Sequence, residues 1–114
     1  MRPLTIFLSI ALLGNAGAAV IYVDADATAG GDGTSWALAY QNLQDALDQT
    51  VSGRGDQVWI ADGVYYPDDG TNVTHGDRLA TFLLKDNVSI YGSFNGSETE
   101  LSERDLSSSS TILS

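Results

Sequence analysis

Residues 35–62 constrain the fold most, because they join a helical pattern, a glycine-broken turn and an apolar strand. Four large apolar side chains recur every three or four residues, which is the spacing of one helix face. They are Trp36, Tyr40, Leu43 and Leu47. A helix of this length is marginal alone in water, so this face must cover an apolar surface elsewhere.

The predicted helix also has defined ends and a polar face. Thr34 or Ser35 is the predicted N-cap, and Gly53 with Gly55 provides the stop. Polar side chains occupy the opposite face, and they are Gln41, Gln44, Asp45 and Asp48. The helix therefore has a single face to bury, and we expect all four of these polar side chains to lie on the unburied face.

Short apolar runs separated by turn residues predict several brief strands. The runs are residues 20–23, 58–61, 63–66, 81–84 and 88–94. Residues 58–61 and 88–91 both read Val-x-Ile-x, and residues 63–66 have a counterpart in residues 111–114. Such self-similarity is typical of a solenoid whose coils stack in parallel.

The first 18 residues read as a secretory signal peptide. Arg2 precedes an apolar run over residues 4–13 that is too short to span a bilayer. Ala16 and Ala18 then offer the small-x-small pattern that signal peptidase accepts. We place the cut after Ala18, with Ala19 as the near alternative, so the mature domain is residues 19–114 and has no membrane span.

The mature chain is strongly acidic. Four Arg and Lys side chains stand against fifteen Asp and Glu, a formal net charge of −11. Such a surface repels phosphate backbones, which argues against nucleic acid as a partner. The chain has no cysteine, so neither a disulfide nor a thiol nucleophile is available.

The loop over residues 24–33 is the candidate metal site. Its carboxylates, Asp24, Asp26 and Asp32, lie on a glycine-rich backbone, and carboxylate oxygens are the ligands that Ca²⁺ prefers. The spacing does not match an EF-hand loop, and simple turn formation is the alternative. A calcium-dependent domain would melt at a lower temperature in chelator.

No catalytic set is visible in this segment. His75 is the only histidine and lies in a polar loop, and Asp68 and Asp69 read as turn formers after Pro67. Trp59 and Tyr91 could stack on a sugar ring, although packing under a loop is the competing interpretation.

Three segments in order carry a resemblance to a known family. GTSWALAYQNLQDAL, VWIADGVYYP and TFLLKDNVSIYGSFNGSET resemble the amino-terminal region of secreted bacterial right-handed parallel β-helix proteins, of the pectate-lyase-like architecture. The resemblance implies a mainly β fold that begins a right-handed single-stranded parallel β-helix, closed by an N-terminal amphipathic capping helix. It also places Val58, Ile60, Val88 and Ile90 inside the coil, and Trp59, Ala61, Ser89 and Tyr91 outside it.

The resemblance implies two functions. The first is a secreted or cell-surface structural or adhesive module, whose partner would be a carbohydrate or another cell-surface polymer. The second is the capping region of a polysaccharide lyase or glycoside hydrolase whose active site lies in later coils. Under both functions we expect the chain to continue beyond Ser114, because the coils of the resembled family would continue there.

Overall fold

The computed structural model describes residues 17–114, so almost all of the predicted signal peptide lies outside the described residues. In chain order the elements are β1 (Val20–Val23), α1 (Leu43–Gln49), β2 (Gln57–Ala61), β3 (Gly63–Tyr65), β4 (Ser89–Phe94), a 3₁₀ helix (Leu101–Glu103) and β5 (Thr111–Leu113). Within residues 17–114, no helix is long and apolar enough to cross a membrane.

The strands form two small parallel sheets. One sheet has the order β1-β2-β4, and β3 pairs with β5 in the other. Ile21 lies opposite Val58, and Val58 lies opposite Ile90. Because side chains alternate along a strand, equal positions in the three strands stack on the same face.

One face of the three-stranded sheet carries the aliphatic core. Isoleucine and valine side chains from β1 and β2 pack against α1 and against Tyr65 of β3. The buried members are Ile21, Val23, Leu43, Ala46, Leu47, Val58, Ile60 and Tyr65. Burial of these side chains is the main term that holds the helix on the sheet.

The other face of the sheet carries an aromatic cluster. The Trp59 and Phe94 rings stack with centroids 4.8 Å apart, and Tyr22 meets both Trp59 and Trp36 edge-on. A bulge makes this possible, because the β2–β4 register shifts after Trp59 and Ser93 has a positive φ of 67°. The extra residue turns Phe94 toward the aromatic face.

The loop over residues 31–40 covers the outer edge of β1. Tyr22 N–H donates to Gly33 O at 2.9 Å, and Tyr40 N–H donates to Tyr22 O at 2.9 Å. Gly31 is required here, since a Cβ at this position would lie 2.2 Å from Leu38 O. The backbone of β1 is therefore paired on both sides.

The predicted helix is wrong in its extent. It begins at Leu43 after Asn42 rather than near Thr34 or Ser35, and it ends at Gln49. Trp36 and Tyr40 lie outside the helix because each packs against a different face of the sheet. Gln44 is buried rather than exposed, and its Nε2–H₂ group donates to Pro67 O and Thr81 O.

The predicted parallel β-helix is wrong, and so is the role of the helix as its cap. Residues 17–114 form two small parallel sheets and one seven-residue α-helix, with no closed or solenoid sheet. Residues 81–84 form no strand, contrary to the prediction, and Leu83 and Leu84 are exposed. Self-similarity between two short segments therefore reflected pairing between strands and not a repeating coil.

The strand pairings are predicted in part. The partnership of β3 with β5 is confirmed, with Val64 opposite Ile112. The predicted alignment of the Val-x-Ile segments is wrong by two residues, since Val58 faces Ile90 and not Val88. The side chains of Val58 and Ile60 are buried, as predicted. Trp59 and Ala61 are predicted to point outward, but they are buried as well.

Candidate functional site

A groove beside the end of β3 is the candidate binding site. Tyr66 follows β3, and its side chain is 46% exposed, whereas the preceding Tyr65 is buried in the core. The alternation of side chains along an extended backbone explains this difference. Gln41, Asn42 and Asp69 line the same groove. The groove thus combines one accessible aromatic ring with two amides and a carboxylate.

A second groove joins the first at Gln41 and Asn42 and continues along α1. Hydrogen bonds between side chains of α1 and the loop after β3 hold its polar lining in place. Asp45 Oδ1 accepts a hydrogen bond from Thr71 N–H at 2.8 Å, and Asp48 Oδ2 accepts one from the Asn72 amide at 3.0 Å. The two grooves form one polar surface with the helix as its floor.

Asp68, Asp69 and His75 bring three metal-ligand atoms within 4.8 Å of one another. His75 Nδ1 lies 3.1 Å from Asp69 Oδ1 and 3.8 Å from Asp68 Oδ2, and the His75 side chain is 87% exposed. Asp68 Oδ2 also accepts a hydrogen bond from Gly76 N–H at 2.8 Å. The sequence predicts turn formers and a solvated histidine here and gives no sign of this convergence, because the three residues meet only when the loop over residues 68–76 is folded.

The calcium prediction at Asp24, Asp26 and Asp32 stays a prediction. Asp24 Oδ1 accepts the N–H of Asp26 at 2.9 Å, and Asp32 Oδ1 accepts both the hydroxyl and the N–H of Thr34. The hydrogen bond from the Thr34 hydroxyl lowers the pKa of Asp32. In the structure the carboxylates of Asp24 and Asp32 order the local backbone, and Asp26 contributes its N–H.

The aromatic side chains proposed to stack on sugar are placed differently by the fold. Trp59 is only 6% exposed and lies against Phe94. The Arg104 guanidinium lies 5.4 Å from the centroid of the Tyr91 ring. Packing under other side chains therefore describes both residues, and Tyr66 is the aromatic residue that the groove presents to solvent.

Two other titratable groups with strongly shifted pKa values have local structural partners. Burial raises the pKa of Tyr65 to about 12, and its hydroxyl donates to Ala61 O at 2.9 Å. Hydrogen bonds from Ser108 and Ser107 lower the pKa of Asp105 to about 2. Both arrangements hold backbone in place; Tyr65 lines the groove at Tyr66, whereas Asp105 lines neither groove.

Asp56 is a fully buried carboxylate just before β2. Arg54 binds it with two hydrogen bonds, from Nε to Oδ1 at 2.6 Å and from a terminal nitrogen to Oδ2 at 2.7 Å. The backbone N–H groups of Val51 and Ala19 donate to its remaining positions at 2.9 and 3.0 Å. Arg54 is the main reason that the pKa of Asp56 falls to about 2.

Comparisons of the chain with protein-family models, with curated proteins and with solved structures find no match. The resemblance to parallel β-helix proteins therefore has no support outside the quoted segments.

Proposed function

We propose that this chain is a structural or adhesive module of a secreted or cell-surface protein, and that it holds a carbohydrate or similar cell-surface polymer without changing it chemically. The groove at Tyr66 is the observation that carries the proposal. An exposed aromatic ring offers a flat apolar surface to the C–H face of a sugar. Neighbouring amide and carboxylate groups offer donors and acceptors to its hydroxyls.

The polar side chains around Tyr66 suit binding better than chemistry. Gln41 already donates to Ala27 O at 2.7 Å, and Asp45 and Asp48 are bound to the loop after β3.

Affinity electrophoresis of the secreted protein through gels containing soluble polysaccharides tests the proposal. We expect retardation by at least one acidic or neutral polysaccharide. Tyr66→Ala should weaken the binding about fivefold, which corresponds to the loss of one aromatic contact of about 1 kcal/mol. Tyr91→Ala is the matched control, since that ring lies under Arg104 and outside the groove.

Two outcomes contradict the proposal. If Tyr66→Ala and the unchanged protein are retarded equally, the groove is not the binding site. If the protein releases reducing ends or unsaturated sugars from the polysaccharide, it degrades its ligand, and the enzyme hypothesis replaces the adhesive one.

A further inference from the structure

Ala19 is held on both sides by residues at the start of β2. Its N–H donates to Asp56 Oδ1 at 3.0 Å, and its carbonyl oxygen accepts the N–H of Gln57 at 2.8 Å. Ala18, one residue earlier, is exposed. A fully buried carboxylate therefore lies directly against the nitrogen that cleavage after Ala18 would turn into a chain terminus.

We propose that proteolytic processing after Ala18 creates an α-ammonium group on Ala19 that forms an ion pair with the buried carboxylate of Asp56. This inference rests on the proposed export of the protein. Hydrolysis by a signal peptidase adds a water hydroxyl to the Ala18 carbonyl carbon and leaves the Ala19 nitrogen, with the remaining proton, as an amine. At neutral pH that amine takes up a further proton and becomes a cation.

The site is already built for this cation. The nitrogen of Ala19 keeps its position as a donor to Asp56, and its charge is opposite to that of the carboxylate. Cleavage one residue later, after Ala19, would remove both the donor to Asp56 and the acceptor for Gln57. Of the two cleavage positions, only the one after Ala18 would therefore leave both hydrogen bonds available to the folded protein.

Two charged groups face the new terminus. Asp56 favours the ammonium form, whereas Arg54 shares Asp56 Oδ1 and opposes it by like-charge repulsion. The buried carboxylate is in direct contact with the nitrogen, and the Arg54 side chain is partly exposed, so attraction dominates. The α-amine should therefore have a pKa above its ordinary range of about 7.7–8.0.

The experiment has two steps on the exported protein. Mass spectrometry of the intact protein first identifies its first residue, which we expect to be Ala19. Acetylation of the α-amine with a limiting anhydride at neutral pH then measures its protection. We expect labelling about tenfold slower than in the urea-unfolded protein, as one pKa unit of stabilisation implies.

Two controls isolate the charge. Asp56→Asn should restore fast labelling of the α-amine. The second control is a protein that begins at Ala18, which keeps every side chain and the Ala19 N–H donor but places the ammonium group one residue farther from Asp56. This control remains available even if Asp56→Asn fails to fold. Below about pH 8 the protein that begins at Ala19 should melt at the higher temperature. That difference is lost as the pH rises through the raised pKa, because the ammonium is then deprotonated in the folded state too.

Each result decides the proposal. A first residue other than Ala19 overturns it, and so does an α-amine in the folded protein that labels as fast as in the unfolded chain. If the chain is not exported, the proposed location and the processing step both fail. A specific protease site placed before Ala19 still tests the ion pair by the same labelling.

Discussion

The two faces of the three-stranded sheet are closed in different ways. The aliphatic face is covered mainly by α1, whose Leu43 and Leu47 pack on β1 and β2 together with Tyr65 of β3. The aromatic face has no helix over it within residues 17–114, and single side chains from distant loops close it. Trp36 spans that face and donates from Nε1 to Glu98 O at 2.8 Å.

This difference explains why the cover of the aliphatic face can be predicted from local sequence pattern, whereas the cover of the aromatic face cannot. A helix can cover a sheet with residues at a regular spacing, which a sequence displays directly. A cluster built from β1, two loops and a bulged strand depends on contacts between residues as far apart as Trp36 and Glu98. The aromatic face is therefore more sensitive to the loss of one ring.

The largest effect should come from the aromatic face. Phe94→Ala removes a fully buried ring that stacks on Trp59, and we expect it to lower the free energy of unfolding by about 4 kcal/mol. Urea denaturation followed by tryptophan fluorescence measures this change. Phe94→Leu, which keeps most of the volume, should cost less than half as much.

The aliphatic face should respond somewhat less to its own truncation. Leu43→Ala removes a buried side chain from α1, and we expect a loss of about 3 kcal/mol. Circular dichroism during urea denaturation measures it. A larger loss for Leu43→Ala than for Phe94→Ala would contradict the proposed difference between the two faces.

Acid should loosen both faces together, because Asp56 ties the start of β1 to the start of β2. Its folded pKa of about 2 lies below the ordinary value of 3.8. The resulting stability, about 2 kcal/mol, is present above pH 4 and is lost as the pH falls from about 4 to 2.

Unfolding free energies at pH 6 and pH 2.5 measure the contribution of Asp56. In Asp56→Asn the difference between the two pH values should shrink by about the same amount. An unchanged difference would mean that other carboxylates control the acid response.

The smallest effect concerns the bulge that brings Phe94 to the aromatic face. Ser93 has a φ of 67°, where glycine is favoured over other residues. Ser93→Gly keeps the N–H that donates to Thr111 Oγ1, so we expect a gain of about 0.5 kcal/mol. Ser93→Ala is the control and should give no gain, since it keeps the Cβ.

Much of the strand pattern can be predicted from the sequence. The run over residues 20–23 coincides with β1, and the expected partner of β3 is β5. These predictions succeed because β-branched runs between turn residues report on strands locally. The exact alignment of β2 with β4 escapes prediction, because the bulge at Ser93 arises only when the two strands meet.

The helix and the candidate site are harder to predict for the same reason. Trp36 and Tyr40 have helical spacing, but Trp36 packs on the aromatic face of the sheet and Tyr40 packs on the aliphatic face. These tertiary contacts override the local pattern. The exposed Tyr66 could have been found from the alternation after β3. The pairing of the buried Asp56 with Ala19 could not have been found, because 37 residues separate the two partners.

The loop over residues 31–40 limits how copies of this protein can join. It occupies the free side of β1, whereas β4 is paired on one side only within residues 17–114. Two copies could extend the sheet by pairing β4 with β4. Both outer strands of the six-stranded product would then be β1, whose outer backbone groups are already hydrogen-bonded to the loop over residues 31–40. Assembly by this route ends at a dimer and cannot propagate into a fibre.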